Sequence, residues 1–377
     1  MDILIIGGGI VGVRTALALV DRGYEPTLLE KNVLGGGTTA ASIAVFHWPQ
    51  VTPERFSHEM REDAWDEYTR LIDAGVASFE RIGGMYVAES DTFANKLRAA
   101  SNRLAAFGLE IEYLDSEAVI EYGIDPERVK GALYTPVEGY LDPHELVQHW
   151  REEAERRGAT VETGTEVNGV RTAGGSVTAV ETDSGVYHAD IVVNATGPWA
   201  PELNDLAGIE APLRHMIGRI LALEHSADIT IPNIVFEDGF YVRGEGTEQA
   251  FAGRLEVDYE DATHLGPDYS HSISMEFKRQ LALKLEQSIP ALATATISRE
   301  WTGLRTVTPD GLPLVGATDL GGWYLACGLT GKGIMYAPVV GKVVADVIDR
   351  DLGAVTQQQS TDRLAAFAPN RFDGSNS

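Results

Sequence analysis

Asp2-Ile3-Leu4-Ile5-Ile6-Gly7-Gly8-Gly9-Ile10-Val11-Gly12 stands near the start of the chain, and Glu25-Pro26-Thr27-Leu28-Leu29-Glu30 follows after one helix length. Residues 3–6 are an unbroken apolar run, the pattern of a strand buried on both faces. Residues 13–22 carry Ala16, Leu17, Leu19 and Val20 at helical spacing, and Gly23 stops the helix. Residues 25–30 read as a second strand ending in an acid. Strand, glycine turn, helix, strand and acid within about 30 residues form a dinucleotide-binding unit. Gly7 permits the tight turn, Gly9 lets the backbone approach a pyrophosphate, and Gly12 lets helix and strand pack closely. Ile10 and Val11 lie in the glycine turn, and the N-terminus of the helix that follows offers free N–H groups and a partial positive charge to phosphates. Glu30 is placed to accept hydrogen bonds from ribose hydroxyls. Its charge repels a 2′-phosphate, which argues against NADP.

Gly35-Gly36-Gly37-Thr38-Thr39-Ala40-Ala41-Ser42 comes directly after that acid. NAD needs no second loop of this kind. The loop suits a longer dinucleotide, FAD, whose pyrophosphate and ribityl chain take more donors. Further along, residues 53–82 look helical, residues 85–87 read as a short strand, and a helix is expected around 94–107. Asp142 and Pro143 start another helix, to about 157. Residues 160–163 and 167–170 are strands, 177–187 a hairpin, and 190–199 a buried strand ending in a small-residue turn. Near Pro212 the texture changes. Stretches at 219–224, 239–243 and 250–256 suggest an antiparallel sheet that ends in a helix at 274–285. Residues 322–328 and 334–348 return to strand and helix. The expected fold is therefore α/β, with a Rossmann-like domain discontinuous in sequence and an α+β part inserted twice. We expect residues 1–82, 140–211 and 300–352 in the nucleotide domain, 83–139 and 212–299 in the substrate domain, and 353–377 as a loosely ordered tail.

Composition bounds the rest. The 377 residues are 44% hydrophobic and 23% charged, which is ordinary globular usage. No apolar run approaches the roughly 18 residues of a membrane span, and the N-terminus lacks the basic stretch of a signal peptide. A cytoplasmic location is expected. The single cysteine, Cys327, excludes a disulfide framework and a multi-Cys metal site, so no metal is expected. Asp and Glu number 56 against 30 Lys and Arg, a net charge of −26. Such a surface repels nucleic acid and anionic membranes, and with few lysines it resembles adaptation to high salt.

Five blocks, taken in order, resemble a known family. They are the unit of residues 7–30, the loop of residues 37–42, Ala195-Thr196-Gly197-Pro198-Trp199, the block from Trp301-Thr302-Gly303-Leu304-Arg305 to Gly316, and Gly328-Leu329-Thr330-Gly331-Lys332-Gly333-Ile334-Met335. Together they look like the FAD-dependent amine and amino-acid oxidoreductases: D-amino-acid oxidase, glycine oxidase, sarcosine oxidase and related dehydrogenases. The resemblance implies a flavin-binding domain, a substrate domain on an antiparallel sheet, and a flavin ring between them. It implies oxidation of a small amino acid or secondary amine, such as glycine, sarcosine, proline or a D-amino acid. Hydride passes to flavin and leaves an imine that hydrolyses. The implied cofactor contacts are Gly7, Gly9, Ile10, Val11, Gly12, Glu30, Lys31, Thr38, Thr39, Ala41, Ser42, Val167, Thr196, Gly197, Trp199, Gly303, Thr330, Gly331, Lys332, Gly333 and Ile334.

In the same resemblance Arg305 holds the substrate carboxylate, since a guanidinium fork matches a carboxylate with two parallel hydrogen bonds. Tyr241 takes the place of a tyrosine facing the substrate. Arg243, two residues on, reads as a charge on the sheet edge. His47 follows the Thr/Ser loop, near the expected redox face, where it would polarise the amine or tune the flavin. Lys332 would stabilise negative charge on reduced flavin. No cysteine precedes the Thr308-Pro309-Asp310 stretch, and Cys327 lies in an apolar strand, so the FAD is expected to be non-covalent. Dioxygen, a protein or a quinone would accept the electrons. Association with further copies or with a partner subunit stays open. The alternatives are a 2-hydroxy-acid or glycerol-phosphate dehydrogenase on the same scaffold, the catalytic subunit of a multi-subunit amine dehydrogenase, and a flavin-binding protein without turnover.

Overall fold

The computed structural model describes residues 1–227, 229–255, 258–268, 271–354 and 361–372. Ile3–Ile6 is the inner strand the apolar run predicts, and all four of its residues are buried. Its sheet has the order Leu314–Ala317, Trp323–Cys327, Ile191–Asn194, Ile3–Ile6, Thr27–Glu30, Thr160–Thr163. The strands run parallel, with Leu314–Ala317 antiparallel at one edge. Alternate side chains serve two cores. Ile3, Ile5, Ile191 and Val193 enter the core made with the helices, and Leu4, Ile6, Val192 and Leu325 enter the other.

Every residue of helix Ile10–Val20 is buried, because helices Pro143–Arg156 and Gly333–Asp351 pack on it. The opposite face of the sheet is covered by helix Ala200–Ala207 and by the antiparallel meander Val167–Ala173, Ser176–Thr182 and Gly185–His188.

A second sheet, of eight strands among the described residues, has the order Thr296–Val307, Arg214–Glu224, Gln249–Arg254, Phe240–Glu245, Asn233–Phe236, Gly84–Ala88, Gly131–Thr135, Glu112–Leu114. Asn233–Phe236 pairs parallel with Gly84–Ala88, and this joint welds two distant chain segments into one sheet. One face packs on helix Met275–Ser288 through Met85, Val87, Ile234, Val242 and Phe277. The other face carries a row across six strands: Tyr86, Val235, Tyr241, Gly253, Ile220 and Trp301.

Some expectations change here. Thr296–Val307 pairs with Arg214–Glu224 along its whole length, so the boundary expected at residue 300 falls inside a strand of the second sheet. The helix expected over 53–82 is Arg55–Asp73, and Phe79–Arg81 is a strand of a small sheet with Val45–Phe46 and Gly139–Leu141. The described part of the tail packs on the body. Helix Thr361–Phe367 returns to the body, where Phe367 is fully buried beside Phe56, and Arg371 pairs with Asp310 at 2.8 Å. Residues 355–360 and 373–377 lie outside the described residues, as does Glu256 of the expected strand 250–256. Among the described residues no helix is long and apolar enough to cross a membrane.

A buried ion pair ties three of the helices. Arg14, 3% exposed, grips Glu67 with two hydrogen bonds of 2.5 and 2.8 Å, and Lys342 reaches the same carboxylate at 3.1 Å. Burial pushes the Glu67 carboxyl up, but Arg14 and then Lys342 outweigh it and hold it below its ordinary value. The folded state therefore binds this proton less readily than the unfolded chain. The stabilisation is complete above the unfolded-state pKa and is lost as pH falls through the depressed folded value. Glu67→Gln leaves the Arg14 charge buried with no carboxylate, so it should cost about 3–5 kcal/mol in denaturant unfolding at neutral pH. The loss should shrink at acid pH.

Candidate active site

The turn after Ile3–Ile6 has no room for side chains. Gly7 has φ +106°, and a Cβ there would lie 2.6 Å from the Ala195 carbonyl oxygen. A Cβ on Gly12 would lie 1.9 Å from the Gly7 carbonyl oxygen. Gly9 faces open space instead, with the Thr39 hydroxyl 3.5 Å from its Cβ position as nearest neighbour. That hydroxyl accepts the Ile10 N–H at 3.1 Å. The next N–H groups, of Val11 and Gly12, have no helical acceptor at a helix start.

From this turn a crevice runs along the carboxyl ends of the parallel strands and on to the second sheet. Its walls include Gly7, Gly9, Ile10, Val11, Glu30, Lys31, Thr38, Thr39, Ser42 and Val167. They continue through Thr196, Gly197, Trp199, Arg305, Thr330, Gly331, Gly333 and Ile334. Gly12, Ala41 and Gly303 stand behind this surface. Ala41 accepts the Trp301 indole N–H at 3.0 Å, Gly303 packs on the Ala41 methyl, and the Thr38 hydroxyl donates to the Leu304 carbonyl at 3.2 Å. The loop of residues 35–42 thus braces one sheet against the other.

The donor set suits a dinucleotide. Each Glu30 carboxylate oxygen takes one backbone N–H, from Gly8 at 2.7 Å and Asn32 at 2.8 Å, and keeps a further lone pair for a hydroxyl. A second helix N-terminus closes on the first: a Cβ on Gly333 would lie 3.9 Å from Ile10. The two positive helix ends thus converge on one stretch of the crevice. Thr330, at φ +53°, holds the approach to the second helix in the left-handed region, fixed by its N–H to the Thr306 carbonyl at 2.9 Å.

Arg305 comes down from the second sheet at this point. Its side chain lies over two glycines: a Cβ on Gly331 would sit 3.0 Å from its Cδ, and one on Gly218 3.5 Å from its Cζ. Tyr241 shares the sheet face of Arg305, by register through Gly253 and Ile220. Its ring is buried over Gly253. Burial pushes its phenol up, and the charges of Arg305 and then Arg243 pull against that rise. Arg243 is not an edge charge. It is 2% exposed in an inner strand, lies on the rings of Tyr140 and Phe251, and pairs with Glu245 at 2.7 Å.

Tyr241, His47 and Lys332 are not among the residues that form the crevice wall. Both His47 ring nitrogens are engaged, Nδ1 with Glu138 and Nε2 with the Tyr86 hydroxyl, each at 3.0 Å. Glu138 is fully buried and also accepts from Trp48 N–H at 3.0 Å and the Asn233 amide at 2.6 Å. Burial beside Glu138 pushes the Tyr86 phenol up to about 12. Glu138, Tyr86 and Asn233 escaped the sequence reading because they come from three separate segments with no shared spacing. Burial and then Arg61 lower the Lys332 ammonium below its ordinary value, against the pull of Tyr336.

The comparisons with known proteins agree with this geometry. A family model described as FAD dependent oxidoreductase matches residues 2–347. The chain is 29% identical to 4-methylaminobutanoate oxidase (formaldehyde-forming) of Paenarthrobacter nicotinovorans, over 98% of this chain and 46% of that protein. It is 22% identical to glycine oxidase of Geobacillus kaustophilus, over 99% and 97%. The chain spans about half the length of the first curated relatives it matches. Among solved structures, L-proline dehydrogenase from P. horikoshii superposes with a TM-score of 0.86 at 27% identity, covering 99% of this chain and 98% of that one.

The glycines separate two kinds of failure. Gly9→Leu points into open space, so the protein should keep its far-UV circular dichroism and thermal midpoint. The added side chain overfills the crevice, and FAD affinity should fall about 10- to 100-fold in a titration of apoprotein. Gly12→Val strikes backbone and should instead lower the thermal midpoint with or without FAD.

Proposed function

The chain belongs to the FAD-dependent oxidoreductase family, and from that premise we propose that it oxidises a small amino acid or secondary amine that carries a carboxylate. The observation that carries the reading is Arg305. It is the guanidinium in the crevice wall, and it hangs from the substrate-side sheet where the two helix N-termini converge. When bound, FAD supplies the acceptor for the two electrons released as the C–N bond is oxidised to an imine.

The chain's own residues bind and orient. Gly7, Gly9, Ile10 and Val11, with Glu30 and Thr39, would hold the nucleotide part of FAD. Gly331, Gly333 and Ile334 would offer backbone N–H groups and a positive helix end to the FAD. Arg305 fixes the carboxylate, which sets the adjoining C–H bond in one place. Tyr241, buried on the same sheet face, feels the fixed charge of Arg305. Lys332 adds a cation behind the helix start. His47, held by Glu138 and Tyr86, acts through its neighbours rather than by direct contact. The buried Cys327, its thiol pushed up to about 12, supports non-covalent FAD.

An anaerobic titration tests the reading. Glycine, sarcosine, proline and D-amino acids are added in turn to the yellow protein, and one of them should bleach it. Readmitting air then sorts an oxidase from a dehydrogenase. If only 2-hydroxy acids bleach it, the amine reading fails. Arg305→Ala should keep FAD and raise KM for the bleaching substrate about 10- to 100-fold, the worth of a hydrogen-bonded charge. An unchanged KM removes Arg305 from the substrate.

A further inference from the structure

A segment from the other sheet reaches the crevice wall at its Glu30 end. Residues 258–268 follow strand Gln249–Arg254 and precede helix Met275–Ser288. Their base is fixed. Arg214 donates to the Tyr259 carbonyl at 3.0 Å and lies on the Tyr259 ring, and Ala262 packs with Met216 and Val307. Thr263 exchanges two backbone hydrogen bonds with His215, of 2.7 and 3.0 Å.

His215 is a bolt between this segment and the crevice wall. It is 3% exposed. Its Nδ1 accepts the Leu265 N–H at 3.2 Å, so the proton of the neutral ring sits on Nε2, which donates to the Pro198 carbonyl at 2.9 Å. Burial lowers its pKa and favours that neutral form. Pro198 belongs to the turn that also carries Thr196, Gly197 and Trp199 into the crevice wall.

The far end reaches the nucleotide half. One oxygen of Asp268 accepts from Lys31 Nζ at 3.0 Å and from the Trp199 indole N–H at 3.2 Å, and the Lys31 ammonium lies 4.3 Å from the centre of the Trp199 ring. Lys31 and Trp199 both line the crevice, and Lys31 follows directly on Glu30. Burial pushes the Asp268 carboxyl up, but Lys31 and then Trp199 outweigh it and hold the group below its ordinary value. Three side chains from three segments therefore meet at one end of the cofactor crevice, and no part of the proposed amine chemistry uses them.

The geometry points to residues 258–268 as a strap that retains FAD: it bridges the two sheets at the nucleotide end, and its Lys31–Asp268–Trp199 latch sets how fast FAD leaves. The inference rests on FAD occupying the crevice and is independent of the substrate. Asp268 is a positioning residue here, acting on the cofactor through Lys31 and Trp199. The Lys31–Asp268 contact is ionic and partly exposed, so its contribution is small and screened by salt.

The test is FAD release from the holoprotein, followed by the rise in flavin fluorescence on dilution. At low ionic strength Asp268→Asn should release FAD about three- to fivefold faster than wild type, the scale of one exposed ion pair. The difference should vanish near ~1 M salt, where the screening length is about 3 Å. Asp268→Glu should restore the slow rate. The double variant Lys31→Gln/Asp268→Asn should release no faster than the faster single variant, because both remove one interaction. Equal rates for wild type and Asp268→Asn at low salt would overturn the strap, as would additive effects of the two substitutions. A wild-type protein that takes up no FAD would instead overturn the cofactor reading itself. Should Asp268→Asn fail to fold, Asp268→Ala carries the same comparison.

Discussion

A single contact underlies the site: the alpha carbon of Gly12 rests so near the Gly7 carbonyl that a Cβ would come within 1.9 Å of that oxygen. The contact brings the start of helix Ile10–Val20 down to the carboxyl edge of the sheet. From there the N–H group of Val11 can face a ligand, and Glu30, at the end of the neighbouring strand, closes the far side. Any side chain at residue 12 would lift the helix away and separate the two halves of the binding surface. The burial of the whole helix between Pro143–Arg156 and Gly333–Asp351 serves the same end, since an element fixed on all sides cannot drift from the turn it must touch.

The second sheet solves a different problem. It must present polar groups toward the first domain while staying anchored to its own core. Period-two alternation does this. Phe240 and Val242 enter the apolar core against helix Met275–Ser288, and Tyr241 and Arg243 point the other way. Glycines on the polar face, Gly218, Gly253 and Gly303, make room for Arg305, Tyr241 and the Ala41 methyl in turn. The parallel pairing of Asn233–Phe236 with Gly84–Ala88 then joins segments almost 150 residues apart, which is what lets Asn233 and Tyr86 meet at Glu138 and His47.

What was legible in the sequence was local. The Gly7–Gly12 turn, the strand before it and the acid after it carry their own spacing, so fold class and crevice followed from a few dozen residues. Arg305 needed a longer block, because a lone arginine in this acidic chain pairs most readily with a carboxylate. The illegible parts depend on partners distant in sequence. Glu138 has no mark of burial in its own neighbourhood. Arg243 looked like an edge charge because strand order cannot be read from one strand, and its rings, Tyr140 and Phe251, come from other segments. The helix Thr361–Phe367 was hidden by the Gln-rich stretch before it, and only its docking against Phe56 explains why Phe367 is buried.

A chain of net charge −26 that must hold an anionic dinucleotide meets an electrostatic difficulty. Clustered lysines would be one answer, but lysine is scarce here and Lys31 is already shared with Asp268 and, at 4.0 Å, with Glu166. The fold answers with backbone instead. Two helix N-termini converge, and their partial charges are fixed in direction by the helices and need no counter-ion. Surface acids are screened by salt over a few ångströms to about 10 Å, whereas N–H groups in contact with a ligand are not. The acidic surface and the anion-binding crevice therefore coexist because they act over different distances: the first governs the protein's relation to solvent, and the second operates within hydrogen-bond reach, where the long-range repulsion is already spent.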